Sequence, residues 1–326
     1  MPLTRRAMCA SIFPFGAMLV APQLFAAENI PSGAIKITAP FVAGGTADVL
    51  ARVIAQRLAT KYGQPFVVDN KPGMGGNLGA SLVAKATPDG TNLLLGTIGI
   101  HSAYAAYSGL PYKPEKDLQP IVILGGVPCV IAVNNDRPFR TLAELMTFAK
   151  QKPGALNFGS AGTGSSTHMV GELFQQATGI KLTHVPYKGS AAAMNDLMGG
   201  QIDMMFELLT TAGPFVQSGR IRALAVTSKT RSSVVPDVPT VSELVSPGFD
   251  GTGWFTVATA AGVPKATVAQ YNKDINAILR DPELQDTWKK LALNVVGGSA
   301  EDASKYAAAE TVKWNKVIET AHIKAD

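Results

Sequence analysis

The sequence predicts an α/β fold built as two lobes with a ligand cleft between them. Short apolar segments alternate with helical segments along most of the chain, a pattern typical of α/β proteins with largely parallel sheets. Two of these strand–helix units share a further feature, a glycine-rich loop that joins the strand to the helix. One unit begins at Ile35 and the other at Leu156, so we expect one unit in each lobe.

The individual elements are predicted from runs of apolar residues and from the residues that start and end helices. Strand-like segments lie at 35–41, 65–69, 92–97, 121–124, 129–133, 156–158, 182–185, 203–206, 223–227 and 254–258. Helical segments lie at 47–62, 142–150, 168–177, 191–198, 264–279, 283–291 and 300–320. Ser299 is a good N-cap residue for the last of these helices.

Residues 1–27 are predicted to be a secretory signal peptide. Arg5 and Arg6 form its basic start, an apolar stretch follows at 7–21, and small residues offer a cleavage site after Ala26 or Ala27. The apolar stretch is shorter than the roughly 20 residues that a membrane span needs. An uncleaved membrane anchor is therefore the minor alternative.

The chain beyond the leader is long enough for two domains, and no low-complexity linker divides it. We expect it to cross between the lobes twice, near 125–127 and near 250–253. Lobe 1 then comprises residues 28–126 and 251–326, and lobe 2 comprises residues 127–250. Two crossing strands form a hinge, and open α/β sheets bind ligands at the carboxyl ends of their strands, where both glycine-rich loops lie.

Composition excludes several classes of protein. The formal net charge of +5 falls to +3 when Arg5 and Arg6 leave with the leader, and no basic tract is present, so nucleic acid is not an expected partner. Cys129 is the one cysteine beyond the leader, which excludes an intramolecular disulfide. The four histidines have no metal-ligand spacing, so we expect neither a metal nor another cofactor.

Each glycine-rich loop leads into a helix, and the first backbone N–H groups of a helix have no intrahelical partner and attract anions. In the first loop, residues 41–48, Gly45 allows close approach of a ligand, Thr46 is predicted to cap the helix, and Asp48 suits its first turn. The second loop, residues 160–168, gathers hydroxyl side chains at the helix start, as a carboxylate site requires. Its candidate residues are Ser160, Gly164, Ser165, Ser166 and His168.

Further candidates follow strands outside the two loops: Thr97, Ile98, Tyr187 and Glu207. If Glu207 faces the cleft, it favours an amine or a hydroxyl and opposes a second carboxylate. His168 either contacts the ligand or supports the second loop. A hydrolase that uses Ser165 or Ser166 with His168 is an open alternative, although the closing glycine of a Gly-x-Ser-x-Gly elbow is missing and no base is evident.

A series of motifs runs in one order along nearly the whole chain beyond the leader. They include Pro40-Phe41-x-x-Gly44-Gly45-x-x-Asp48, Asn70-x-Pro72-Gly73-x-Gly75-Gly76-Asn77-x-Gly79, Gly159-Ser160-Ala161-Gly162-x-Gly164-x-x-x-His168 and His184-Val185-Pro186-Tyr187-Lys188-Gly189. Any one of them is weak evidence, but their number and order are specific. Together they resemble the receptors of tripartite tricarboxylate transporters, the Bug or TctC-type family.

The resemblance implies a periplasmic receptor of the Venus-flytrap type that has no catalytic activity. Such a receptor binds a small organic acid and passes it to integral-membrane transporter components, and we expect it to be a monomer. Family members hold a carboxylate with backbone amides and waters at the two loops, which adds Phe41 and Ala43 to the expected site. Ala43 stands where the family often has proline. A sensing receptor for a membrane signalling protein is the alternative role.

Overall fold

The computed structural model describes residues 29–325 of the chain. The predicted signal peptide at 1–27 lies outside the described residues. Among residues 29–325, no helix combines the length and the apolar character that crossing a membrane requires.

Strands and helices alternate as the sequence predicts, and most of the predicted elements are present within a few residues of their expected ends. The strands are β1 (Ile35–Ala39), β2 (Phe66–Asn70), β3 (Asn92–Thr97), β4 (Leu118–Val133), β5 (Asn157–Ser160), β6 (Thr183–Pro186), β7 (Met204–Leu208), β8 (Arg222–Val226), β9 (Thr252–Ala260) and β10 (Asn294–Val295). The helices are α1 (Thr46–Tyr62), α2 (Asn77–Ala84), α3 (Ile98–His101), α4 (Pro114–Asp117), α5 (Leu142–Gln151), α6 (Ser166–Thr178), α7 (Ser190–Met198), α8 (Leu209–Gln217), α9 (Val241–Leu244), α10 (Lys265–Arg280), α11 (Gln285–Lys290) and α12 (Ala300–Ala321).

The strands form two sheet halves that share the long strand β4. The first half has the order β2-β1-β3-β9-β4, and the second continues as β4-β7-β5-β6, with β8 and β10 also paired to β4. Residues 118–128 of β4 pair with β9, whereas residues 129–133 pair with β7. β4 therefore passes from one sheet half into the other, and the lobe boundaries at 126/127 and 250/251 stay a prediction.

Two predictions about the sheet are wrong. The segments 121–124 and 129–133 are predicted as separate strands, but one strand of 16 residues runs from Leu118 to Val133. Gly125 takes a φ of +154°, and the pairing register shifts beside it, so this glycine bends the strand instead of ending it. The sheets are also mixed rather than largely parallel, because β4 and β9 run antiparallel to their neighbours.

The last helix, α12, contacts both lobes. Its N-terminus is capped by Ser299, as predicted. The Ser102 hydroxyl, at the end of α3, donates to the Ala307 carbonyl at 3.0 Å. Gln176 on α6 donates to the Val317 carbonyl at 2.9 Å. These contacts connect α12 to elements of both lobes.

His101, at the end of α3, makes the stability of the fold depend on pH. Burial lowers the pKa of its imidazole to about 4, and its Nε2 lies 3.0 Å from the Thr256 hydroxyl. Because the unfolded chain takes up this proton near pH 6.5, stability is full above that pH and is lost as the pH falls towards 4.

We therefore expect the free energy of unfolding of the wild type to fall between pH 6.5 and 4 more steeply than that of His101→Gln. The difference in slope should be about 1.4 kcal/mol per pH unit. Denaturant unfolding at several pH values measures both slopes. Equal slopes would show that the pKa of His101 is the same in the folded and unfolded chain, contrary to this account.

Candidate ligand-binding site

The starts of α1 and α6 meet at one small cavity between the two lobes, which we call the central cavity. Its volume is about 30 Å³. Its walls are Phe41, Val42, Gly45, Thr46, Ala47, Thr97, Ala161, Ser165, Ser166, Thr167, Ser190 and Phe255. Both glycine-rich loops thus line the same space, as the sequence predicts for a shared anion site.

The two helix starts make this cavity attractive to an anion. α1 begins at Thr46 and α6 at Ser166, and both residues line the cavity. The first backbone N–H groups of each helix have no intrahelical acceptor, and the helix dipole adds a partial positive charge there. Two such ends directed at one space can donate several hydrogen bonds to a carboxylate.

Two buried hydroxyl groups in the same cavity have no hydrogen-bond partner among residues 29–325. They are Thr46 Oγ1 and Thr97 Oγ1, on side chains that are almost completely buried. The prediction that Thr46 caps α1 is wrong, because Gly45 is the N-cap residue and no side chain caps this helix. A buried polar group without a partner costs about 1–3 kcal/mol, so such groups commonly mark a binding site.

Asp48 holds the first loop in shape. Its carboxylate accepts hydrogen bonds from the Gly44 backbone N–H at 3.0 Å, from Arg52 Nε at 3.0 Å and from Asn70 Nδ2 at 3.0 Å. Asn70 Nδ2 also donates to the Phe41 carbonyl at 3.0 Å. Asp48 is therefore a positioning residue, because its oxygens are already occupied by these donors and it is not among the walls of the cavity.

Burial acts to raise the pKa of the Asp48 carboxyl. Hydrogen bonds from Arg52, the Gly44 N–H and Asn70 outweigh this effect and hold the pKa below its ordinary value. Asp48 is thus ionised at neutral pH, and its charge contributes to the anchoring of the first loop.

The second loop is shaped by two stacked histidines. His168 Nδ1 accepts from the Gly164 backbone N–H at 3.1 Å, and its ring stacks on His184 with 3.8 Å between centroids. Ser160 Oγ lies 2.6 Å from His184 Nε2 and accepts from the Gly162 N–H at 3.1 Å. Of the two roles predicted for His168, the structure therefore favours support of the loop.

His184 is a site-building residue for which sequence reasoning assigned no role. Burial, and the neighbouring His168, lower the pKa of His184 to about 3. The ring is therefore neutral at physiological pH, and its Nε2 shares a hydrogen bond with the Ser160 hydroxyl. Ser160 and His184 are 24 positions apart and lie on the paired strands β5 and β6, and no local pattern reveals such a pair.

The predicted serine–histidine pair of a hydrolase does not form. The ring nitrogens of His168 face the Gly164 N–H at 3.1 Å and Glu172 Oε1 at 3.5 Å, and neither contacts a serine hydroxyl. Ser165 Oγ instead accepts from the His168 backbone N–H at 3.4 Å and lies 3.1 Å from Thr167 Oγ1, as a helix N-cap. His168 therefore does not act as a base for Ser165 or Ser166 in this arrangement.

Two larger cavities adjoin the central cavity. One, of about 410 Å³, lies between α7 and α8 and shares Gly45 and Ser190 with it. We call it the α7/α8 cavity. The other, of about 360 Å³, is a rim cavity that shares Phe41 and Ala161 with the central cavity and includes Lys188 among its walls.

The predicted site residues fall into three groups. Phe41, Gly45, Thr46, Thr97, Ser165 and Ser166 line the central cavity, and Tyr187 lines the rim cavity. A second group hydrogen-bonds within the two loops and holds their shape: Asp48, Ser160, Gly164 and His168. Ala43 is exposed, and Ile98 belongs to the hydrophobic core, so neither lines these three cavities.

Glu207 is completely buried at the end of β7, beside the α7/α8 cavity. It accepts hydrogen bonds from the hydroxyls of Thr211 and Ser190, both of which line that cavity. Burial raises the pKa of Glu207 to about 7, although these hydroxyls and the Leu208 N–H act to lower it. Its Oε2 atom has no direct hydrogen-bond partner among the described residues.

The lobes touch each other across the cleft at Tyr107. Its hydroxyl, from lobe 1, donates to the Thr163 carbonyl of the second loop at 2.7 Å. A side chain at Gly164 would also meet the Tyr107 ring, because the Cβ position lies 3.1 Å from it. Tyr107 thus joins lobe 1 to the second loop.

We expect Tyr107→Phe to weaken ligand binding about 2- to 12-fold, because the closed form loses one hydrogen bond worth about 0.5–1.5 kcal/mol. Titration calorimetry measures the change. Tyr104→Phe is the matched control, since Tyr104 is a nearby tyrosine that lines a different cavity. An equal loss of affinity in both variants would argue against a role for the Tyr107 bond in closure.

A cleft between two α/β lobes, lined by two helix starts, defines the class of solute-binding proteins. The family described as tripartite tricarboxylate transporter family receptor matches residues 50–323, and this chain belongs to that family. BugT of Bordetella pertussis is 33% identical over 320 residues, which are 98% of this chain and 98% of BugT.

Solved structures show the same fold. A protein of R. palustris solved with adipate is 37% identical and has a TM-score of 0.87, over 90% of this chain and 99% of its own. MatC from Rhodopseudomonas palustris, solved with bound malate, is 30% identical and has a TM-score of 0.83, over 89% of this chain and 100% of its own. The two-lobed fold of periplasmic solute-binding proteins, predicted from the sequence, is therefore confirmed.

Proposed function

We propose that the protein is a periplasmic receptor that captures a small organic acid by a carboxylate and delivers it to a tripartite tricarboxylate-type transporter. The observation that carries this proposal is the central cavity, where two helix starts meet two buried hydroxyls that lack partners. Acids of this class, adipate and malate, are the ligands named for two related structures. Delivery to membrane components rests on membership of the family.

The magnitudes favour one site shared by both lobes over two separate sites. A micromolar ligand needs about 8 kcal/mol of net binding free energy. One exposed helix end contributes roughly 0.3–1 kcal/mol to an anion, whereas each hydrogen bond to a charged group adds about 1.5–3 kcal/mol. Hydrogen bonds from the hydroxyls and N–H groups of both lobes together can supply a binding free energy in this range, and those of one lobe alone cannot.

The size of the central cavity indicates which part of the ligand it holds. A volume of about 30 Å³ accommodates a group the size of one or two waters, such as a carboxylate. The rest of the acid must then extend into a neighbouring space, and the α7/α8 cavity of about 410 Å³ is large enough for it. Binding is reversible and without turnover in this proposal, because His168 is not hydrogen-bonded to the Ser165 or Ser166 hydroxyl as the hydrolase alternative requires.

A thermal-shift panel on the protein from Ala27 or Glu28 onward tests the proposed function. The panel includes four- to six-carbon dicarboxylates, citrate, hydroxy acids, amino acids, nicotinate and benzene carboxylates. We expect stabilisation that grows with ligand concentration by mass action, followed by saturable binding in calorimetry and recovery of intact ligand. No stabilisation by any acid, after refolding to remove bound ligand, would contradict the proposal.

A further inference from the structure

Two stretches of backbone touch directly beside the central cavity, at positions where glycines leave no side chain between them. A Cβ atom on Gly99, in α3, would lie 2.7 Å from the Gly164 carbonyl oxygen of the second loop and 2.8 Å from the Gly75 carbonyl oxygen. Ordinary contacts of a Cβ atom are 3.4–4 Å long. A Cβ atom on Gly75, in the turn before α2, would likewise collide with the Thr163 carbonyl oxygen. We call Gly75, Gly99, Thr163 and Gly164 the glycine seam.

The glycine seam adjoins the walls of the central cavity along the chain. Thr97, whose hydroxyl has no partner among the described residues, lies two positions before Gly99, and Ser165 directly follows Gly164. Thr97 and Ser165 are the N-cap residues of α3 and α6, so each is fixed to the helix that starts beside it. The distance between the backbones of Gly99 and Gly164 therefore sets the separation of these two walls.

Hydrogen bonds hold both sides of the glycine seam in place. On one side the buried Asn77 donates from Nδ2 to the Gly99 carbonyl at 3.3 Å, and its Oδ1 accepts from the Tyr112 hydroxyl at 2.7 Å. On the other side the Gly164 N–H donates to His168 Nδ1 at 3.1 Å. Backbone atoms held in this way cannot turn aside as the end of a flexible side chain can, so a methyl group at position 99 must push the two walls apart.

A second close contact lies at other walls of the same cavity. A Cβ atom on Gly189 would lie 2.5 Å from Val42 Cγ2. Val42 and Ser190, the residue after Gly189, both line the central cavity. Val42 follows β1 in the first sheet half and Gly189 follows β6 in the second, so close contacts between the two sheet halves occur at two places around this space.

From this geometry we infer that the glycine seam determines which acid group the receptor accepts: it holds the central cavity at the width of a planar carboxylate and excludes tetrahedral groups such as a sulfonate. The inference rests on the proposed function, since it concerns the same anion site. A sulfonate has a third oxygen, for which a cavity of about 30 Å³ has no room. Gly75 and Gly99 are positioning residues in this scheme, because they act through the walls and not on the ligand.

Calorimetry with adipate and butane-1,4-disulfonate tests the inference, because the two have the same chain and charge and differ in the acid group. If the thermal-shift panel favours another acid, that acid and its sulfonate counterpart replace the pair. We expect the wild type to prefer the carboxylate at least about a hundredfold. In Gly99→Ala the affinity for the carboxylate should fall at least about tenfold, since hydrogen bonds from the two walls lengthen, while the affinity for the disulfonate does not fall.

Two control variants separate the seam contact from other effects of alanine. Gly109→Ala is the control for Gly99→Ala, because both glycines have a φ outside the left-handed region and a Cβ atom at 109 meets nothing within 4 Å. Gly75→Ala is a second seam variant, with a φ of +58° that strains alanine. Gly63 has a φ of +62° and open space around it, so Gly63→Ala shows the effect of strain alone. Only the two seam variants should lower the preference for the carboxylate.

The outcomes separate this inference from the proposed function. If the wild type binds the disulfonate as tightly as the carboxylate, the inference is wrong and the carboxylate receptor stands. If Gly99→Ala and Gly75→Ala keep the wild-type preference within about twofold, or if neither binds the disulfonate, the glycine seam is not its source and the inference is also wrong. If the wild type binds no acid of the panel, the proposed function fails, and the inference fails with it.

Discussion

Replacing Thr46 and Thr97 together by valine is expected to lower affinity for carboxylates at least about a hundredfold without lowering the free energy of unfolding. Each hydroxyl is buried and has no partner among the described residues, so valine removes a polar group that stabilises nothing in the ligand-free protein. A hydrogen bond to a charged ligand is worth about 1.5–3 kcal/mol, and two are lost. Few substitutions at a binding site separate stability from affinity so clearly.

Calorimetry and denaturant unfolding of the double variant measure the two quantities. Thr259→Val is the matched control, because Thr259 is equally buried but its hydroxyl donates to the Asn92 carbonyl at 2.8 Å. The control should lose stability and keep its affinity, the reverse of the double variant. Unchanged affinity in Thr46→Val/Thr97→Val would remove both hydroxyls from the site.

Asp48→Ala is expected to lower affinity at least about tenfold and the free energy of unfolding by about 1–3 kcal/mol. The substitution removes the acceptor of the Gly44 N–H and of one Asn70 Nδ2 hydrogen. The first loop then loses the hydrogen bonds that hold its shape. Unlike the threonine pair, this variant should therefore lose stability and affinity together.

The dependence on pH identifies the charge of Asp48 as the source of the stability. Its pKa lies below the ordinary value, so the contribution is fully present above about pH 4 and is lost as the pH falls through the lowered pKa. The stability difference between wild type and Asp48→Asn should accordingly narrow at low pH. Glu301→Ala removes an exposed ion pair with Lys305 and serves as the control, with little change expected. A difference that is constant with pH would contradict the assignment.

Local sequence signals were sufficient to locate the two helix starts. The helix predicted at 47–62 begins at Thr46, and the one predicted at 168–177 begins at Ser166. Glycine-rich loops, capping residues and apolar strands act over a few neighbouring positions, so their effect can be predicted without knowledge of the fold. The predicted meeting of the two starts at one cavity followed from the topology of α/β sheets.

The roles of individual side chains depended on contacts that the sequence does not reveal. Threonine is a favoured N-cap residue, but Thr46 does not cap α1, because Gly45 occupies the N-cap position. Thr46 instead lines the central cavity. His184 supports Ser160 only because β5 and β6 pair in one particular register. The prediction divides β4 at the crossing expected near 125–127, whereas pairing to β9 keeps the strand continuous.

A crystal structure of the protein with the tightest-binding acid tests the central claim most directly. The account predicts a carboxylate within about 3 Å of Thr46 Oγ1 and Thr97 Oγ1 that also accepts hydrogen bonds from N–H groups at the starts of α1 and α6. A carboxylate bound instead to Lys188 and Lys324 in the rim cavity, with no ligand oxygen near either threonine, would contradict it.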